Sequence, residues 1–216
     1  MRKLHFFAAM KLAVAAAMSL PFFATPAWAH DASDPKAHEH KVAAGLKVTM
    51  ADYVVPDVWL VRDDGKKVTL PKELADGRPV VLNFIYTTCP GICPVMSQVF
   101  SQFQERLGAD RDKVHMVSIS IDPEQDTPAR LRAYAAKFSA GSQWRHYTST
   151  VAASVVAQKA FDSYRGDKMS HDPLTLMRAA PGKPWVRIDG FASADDLLEQ
   201  YIGLAAVCDT TTTASK

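Results

Sequence analysis

The sequence predicts an α/β domain: a mixed central sheet flanked by helices, with an extra N-terminal β-hairpin. Two strand-like runs, Val80–Tyr86 and Lys113–Ile121, suit central strands covered on both faces. Segments of helical periodicity alternate with them, as parallel strands joined by crossovers require. Ahead of them, Val54–Thr69 alternates more weakly and is interrupted by Asp63-Asp64-Gly65, a hairpin turn. The predicted order is two strands, then βαβαβα, then ββα.

After Val80–Tyr86, a helical pattern runs from Pro94 to Leu107, with Val95, Val99, Phe103 and Leu107 spaced by four. Pro94 is tolerated there because a first-turn residue has no intrahelical partner for its N–H. After Lys113–Ile121, Thr127 is the expected N-cap and Pro128 the first residue of a helix to about Phe138. Gln143–Thr148 reads as a short strand, and Val151–Phe161 as a third helix with alanines and valines on its packing face. Residues 162–173 form a polar loop around His171. Leu174–Arg178 and Lys183–Ile188 pair across Ala179-Ala180-Pro181-Gly182, and Ser193 caps a final helix to about Ala206.

The ends read differently. Met1-Arg2-Lys3, an apolar run from Phe6 to Phe23 and Ala27-Trp28-Ala29 have the layout of a secretory signal, with cleavage before His30. Residues 1–29 are therefore expected to be a cleavable signal peptide, 30–45 a flexible His-containing leader, 46–208 the domain and 209–216 a disordered tail. No later segment is long and apolar enough to span a bilayer, so the expected product is soluble, periplasmic and without a stable membrane anchor. Removing Arg2, Lys3 and Lys11 with the signal turns the formal charge of +2 into −1. A near-neutral chain without basic clusters argues against nucleic-acid binding.

Cys89 and Cys93 stand where the first central strand should turn into a helix. Helix N-termini favour a thiolate over a thiol, and the CxxxC spacing lets both sulfurs face one side. Such a pair suits either a soft metal ion such as Cu(I) or a reversible disulfide. An inert Cys89–Cys93 staple would close too small a loop to stabilise the fold appreciably. No second cysteine pair exists to complete a tetrahedral zinc site, and Cys208 reads as a small buried hydrophobe. An added imidazole would let the site hold Cu(II) as well as Cu(I). His115 and His146 lie in strands and read as core residues, whereas His171 lies in a loop and is available if that loop reaches the cysteines. His30, His38 and His40 of the leader are a weaker metal-collecting segment.

The segment Asn83-Phe84-Ile85-Tyr86-Thr87-Thr88-Cys89-Pro90-Gly91-Ile92-Cys93-Pro94 resembles the Sco/SenC family, marked by a strand followed by T-x-C-P-x-x-C-P. Val117–Pro128 (VSISIDPEQDTP) resembles that family's second block, and His171 matches its distal histidine by position and order. The likeness spans roughly residues 50 to 204. It implies a thioredoxin-like fold and copper ligation by Cys89, Cys93 and His171, with Asp122 and Asp126 in the family's acidic block. Those two aspartates are equally well suited to turn and capping chemistry.

The resemblance implies a periplasmic copper metallochaperone. It would receive copper, from a donor chaperone if one serves it, and deliver it to a cytochrome c oxidase subunit or another cuproprotein. The alternative is an enzyme, a thiol–disulfide reductase acting on a copper-site apoprotein or another exported client. In that case Cys89 would attack, Cys93 would resolve, and a Cys89–Cys93 disulfide would form in the oxidised apo state. A peroxide-reducing activity is a third option.

Overall fold

The computed structural model describes the backbone of residues 45–213 and side chains as far as residue 204. The expected signal peptide, with His30, His38 and His40 of the leader, lies outside the described residues, as does the side chain of Cys208. The strands are β1 (Lys47–Ala51), β2 (Trp59–Arg62), β3 (Lys67–Thr69), β4 (Val80–Ile85), β5 (His115–Ser120), β6 (Trp144–Thr148), β7 (Leu174–Arg178) and β8 (Trp185–Asp189). The helices are α1 (Leu70–Glu73), α2 (Ile92–Leu107), α3 (Pro128–Lys137), α4 (Val151–Ala160) and α5 (Ala194–Thr213). Short 3₁₀ turns occupy Gly108–Lys113 and Lys168–Ser170.

The eight strands of the described residues form one mixed sheet, ordered β1-β8-β7-β4-β5-β6-β2-β3. Strands β4, β5 and β6 are parallel, joined through α2 and α3, and the remaining pairs are antiparallel. Every residue of β4 and of β5 is buried, as continuous apolar runs between two helical layers require. Alternation along β4 divides the core. Val80, Leu82 and Phe84 pack on the side of Ala157 and Phe161, whereas Val81 packs with Phe100, Phe103 and Leu197. Asn83 is buried among them and accepts a hydrogen bond from the Ser118 hydroxyl at 2.7 Å.

The predicted hairpin is present but shorter. Its strands are β2 and β3 with Gly65 at φ 88°, and β2 joins the sheet beside β6. Residues 54–58, expected as strand, remain outside the sheet. Strand β1 and helix α1 were not expected. β1 is an edge strand, mostly exposed on both faces, so it carries no hydrophobic alternation to read. Thr127 caps α3 through a hydrogen bond from the Arg130 N–H, as predicted, and the Ser193 hydroxyl accepts from Asp196 N–H at the start of α5.

Two predicted helix faces need correction. On α2 the buried stripe is Cys93, Met96, Phe100, Phe103 and Leu107, while Val95 is exposed. A strict four-residue spacing drifts around a helix of 3.6 residues per turn, which is why Val95 misleads, whereas Val99 stays partly buried against the core. On α4, Ser154, Ala157 and Gln158 face inward, and Val151 and Val156 are exposed. Helix α5 passes the expected end near Ala206, and the tail assigned to 209–216 is helical through Thr213. No glycine or proline between Ala206 and Thr213 stops it. No helix among the described residues is long and apolar enough to cross a membrane.

Candidate metal centre

Topology brings the three predicted donors together. Strand β4 ends in the loop that carries Cys89, and α2 begins at Ile92, placing Cys93 in its first turn. Strand β7 is antiparallel to β4, with Asn83 opposite Thr175, so the start of β7 lies beside the end of β4. His171, just ahead of β7, therefore arrives where β4 delivers the cysteines. The sulfurs of Cys89 and Cys93 and a ring nitrogen of His171 lie within 4.8 Å of one another, and all three residues are buried. His171 Nε2 is 3.4 Å from Cys93 Sγ. This is the three-donor metal cluster among the described residues.

Backbone geometry sets the character of each donor. Gly91, the N-cap of α2, has no side chain to accept a first-turn N–H, and the Cys89 sulfur takes that role. The Cys93 N–H donates to Cys89 Sγ at 3.3 Å. Burial opposes the Cys89 thiolate, but the N–H groups of Cys93 and Gly91 and the side chains of Cys93 and Tyr86 outweigh it, so its pKa falls below the ordinary thiol value. At Cys93, burial dominates and pushes the thiol well up, although the Tyr86 N–H donates to its sulfur at 3.3 Å. Cys89 is thus the easier of the two thiols to ionise and Cys93 the harder.

His171 is held neutral with a defined tautomer. Burial lowers its pKa, against the hydrogen bond to the Lys168 carbonyl, which raises it. Nδ1 lies 2.9 Å from that carbonyl, which accepts only from an N–H. Nε2 therefore presents its lone pair to Cys93, as a ligating imidazole must. Tyr86 closes one side, its ring edge-on to His171 at a centroid distance of 5.3 Å.

Asp122 and Asp126 anchor the two loops and are not part of the donor cluster. Asp126 is fully buried and accepts from Thr87 N–H at 3.1 Å, Thr87 hydroxyl at 2.5 Å and Ser120 hydroxyl at 2.6 Å. It ties the cysteine loop to the end of β5. Asp122 pairs with Lys168 Nζ at 2.6 Å and so holds the turn that leads into His171. A cleft of about 520 Å³ opens beside His171, lined by Asp122, Glu124, Gln158, Arg165 and Lys168. His115 is the first residue of β5, opposite Val80 at the end of the strands away from the cysteines, with Nδ1 3.1 Å from the Asp76 carboxylate and Nε2 3.3 Å from the Tyr147 hydroxyl. His146 is enclosed between Trp144 and Tyr134. Both remain core residues. Tyr86, Lys168 and Met169 were not singled out from the sequence. Their roles depend on contacts such as Tyr86 hydroxyl to Met169 Sδ, 3.2 Å across 83 residues, which no local pattern encodes.

The mixed sheet with helices on both faces and thiols at the strand-to-helix turn defines a thioredoxin-like protein whose redox-type cysteines share their site with an imidazole. Within that class the chain belongs to the SCO1/SenC family, whose family model matches residues 48–202. It is 36% identical over 87 residues to the SCO1 protein homolog of Bacillus subtilis, covering 40% of this chain and 44% of that protein. The chain thus spans less than half the length of this curated relative. Among solved structures it is similar to Bradyrhizobium japonicum ScoI with copper bound, at 28% identity and a TM-score of 0.54, covering 61% of this chain and 86% of that one. It is also similar to BsSco, a member of the Sco family of cytochrome c oxidase assembly proteins in which a disulfide switch has been identified. That match has 26% identity and a TM-score of 0.62 over 73% of this chain and 96% of the other.

Proposed function

We propose that this protein is a periplasmic copper metallochaperone. It takes up one copper ion through the thiolates of Cys89 and Cys93 and the Nε2 of His171. It then passes the ion by ligand exchange to a cytochrome oxidase subunit or another cuproprotein. The observation that carries the reading is the convergence of the three donors within 4.8 Å, with the imidazole lone pair turned towards Cys93. Two thiolates suit soft Cu(I), and the neutral imidazole extends the donor set to Cu(II). Loading requires Cys93 to release its proton, so copper binding is expected to release protons. The copper-bound relative in the same fold supports the choice of metal.

Anaerobic copper titration tests this. Expected is one copper per chain, lost in Cys89→Ser/Cys93→Ser, and a thiolate-to-Cu(II) absorption band that disappears in His171→Ala. Unchanged stoichiometry without the cysteines would end the proposal.

A second reading, a thiol–disulfide reductase, is favoured by one specific feature: the opposite pKa shifts of the two thiols. The Cys89 thiolate would attack a client disulfide and form a mixed disulfide. Cys93, on losing its proton, would then displace the client's second thiolate and leave a Cys89–Cys93 disulfide and a reduced client. Both thiols are free in this structure. His171→Ala separates the two readings: full function despite collapsed copper binding favours the reductase.

A further inference from the structure

We propose that Met169 is the outer sulfur on the path by which Cu(I) reaches and leaves the Cys89–Cys93–His171 centre. The inference rests on the copper reading above and extends it to a residue outside the donor cluster. Cys93 is wholly buried, and Cys89 and His171 are each only 8% exposed. An incoming ion therefore cannot meet all three donors at once.

Met169 is 62% exposed, and its Sδ accepts a hydrogen bond from the Tyr86 hydroxyl at 3.2 Å. The same tyrosine packs its ring on His171 and donates its N–H to Cys93 Sγ. The thioether thus stands on the residue that walls the centre. Its backbone is held in place: the Asp167 carboxylate accepts the Met169 N–H at 2.9 Å, and the neighbouring Lys168 is tied to Asp122. The same short turn fixes His171 through the Lys168 carbonyl. A large apolar side chain exposed on an anchored turn buries little, whereas a thioether is a soft donor with no proton to lose.

On uptake, a Cu(I)–Sδ bond forms as the bond to the donor that brought the ion breaks. The Cys89 thiolate then displaces the thioether. Cys93 releases its proton to solvent as its sulfur and His171 Nε2 bind. No electrons are transferred, and release to an acceptor thiolate or imidazole retraces these steps.

A donor engaged only in transit lowers the barrier in both directions and leaves the end states alone. The test uses the mature chain under anaerobic conditions, with Cu(I)–bicinchoninate as copper donor and free bicinchoninate as acceptor. Met169→Leu keeps size and apolarity. It is expected to slow uptake and release alike, by about tenfold each, with affinity unchanged. Met50 is 63% exposed but lies on β1, and Met50→Leu should change neither rate. In ¹³C-methyl-methionine-labelled Cys93→Ser, where the inner sulfur is missing, Cu(I) should shift the Met169 methyl signal and not that of Met50.

Unchanged rates in Met169→Leu with an unmoved Met169 methyl overturn this inference while leaving one-copper binding intact. A fall in affinity with faster release would make Met169 a resident ligand and overturn its transit role. Equal shifts at Met50 and Met169 would mean adventitious binding to exposed thioethers, also against the inference. Failure of the unmutated chain to bind Cu(I) overturns the copper reading and this inference together.

Discussion

Replacing Asp126 with alanine should destabilise the fold and loosen the metal centre in one step. The carboxylate is fully buried and receives three donors: Thr87 N–H at 3.1 Å, Thr87 hydroxyl at 2.5 Å and Ser120 hydroxyl at 2.6 Å. A hydrogen bond to a charged acceptor contributes about 1.5–3 kcal/mol, and a buried donor left without a partner costs about 1–3 kcal/mol. The hydroxyls can rotate to other acceptors but the amide cannot, so the net loss should be about 3–5 kcal/mol. Against a typical domain stability of about 5–15 kcal/mol this is large, and it should lower the Tm by roughly 6–20 °C. Asp126→Asn keeps one acceptor oxygen and the volume, and should lose roughly half as much. Urea unfolding of the apoprotein gives the free energies, and an unchanged slope would show that the same surface unfolds. Because Thr87 lies two residues from Cys89, Cu(I) affinity measured by chelator competition should fall in parallel. A loss below about 1 kcal/mol with unaltered affinity would refute the role of Asp126 as the anchor of the cysteine loop.

The Lys168–Asp122 ion pair should act on copper through His171: Lys168→Ala and Asp122→Asn are each expected to weaken Cu(I) binding roughly tenfold. The double variant should be no worse than either single one, and additive losses would dismiss the coupling. His146 should make stability fall in acid. Its ring has no hydrogen-bond partner among the described residues, and burial pushes its pKa down to about 3. The unfolded imidazole takes a proton at its ordinary value of 6.5, so its contribution is complete above that pH and declines as the pH falls towards 3, by about 1.4 kcal/mol per unit. His146→Leu should make this limb less steep in thermal unfolding at stepped pH. The remainder comes from His115 and His171, whose pKa values burial also lowers, and from Asp64 and Asp76. The Arg62 hydrogen bond holds the Asp64 carboxyl down, and at Asp76 the hydrogen bonds from Arg78 outweigh burial. An unchanged acid limb would assign it to other groups.

Elements with strong local signals could be read from the sequence. The β4 and β5 runs are apolar because both faces are covered, and the Thr127-Pro128 start of α3 uses capping chemistry contained within four residues. The buried face of α2 was harder, because Val95 and Met96 are equally apolar and only the position of α5 and the sheet decides which turns inward. Strand β1 could not be found at all. It exists through its pairing with β8, where Lys47 lies opposite Asp189, and that partner is 142 residues away.

The centre divides along the same line. The sequence alone specified the two thiols, because a strand, a turn with Pro90 and Gly91 and a helix start are local, and they determine both the spacing and the helix-terminal field. It could nominate His171 only conditionally, as a loop histidine that must reach the cysteines, and by resemblance. What brings that imidazole to the sulfurs is the antiparallel seating of β7 on β4, a long-range pairing that the chain between them does not encode. The tertiary fold also decided how differently the two cysteines behave. Cys89 receives N–H donors at the edge of the fold while Cys93 is sealed beneath it, so burial separates their protonation where spacing alone would make them alike.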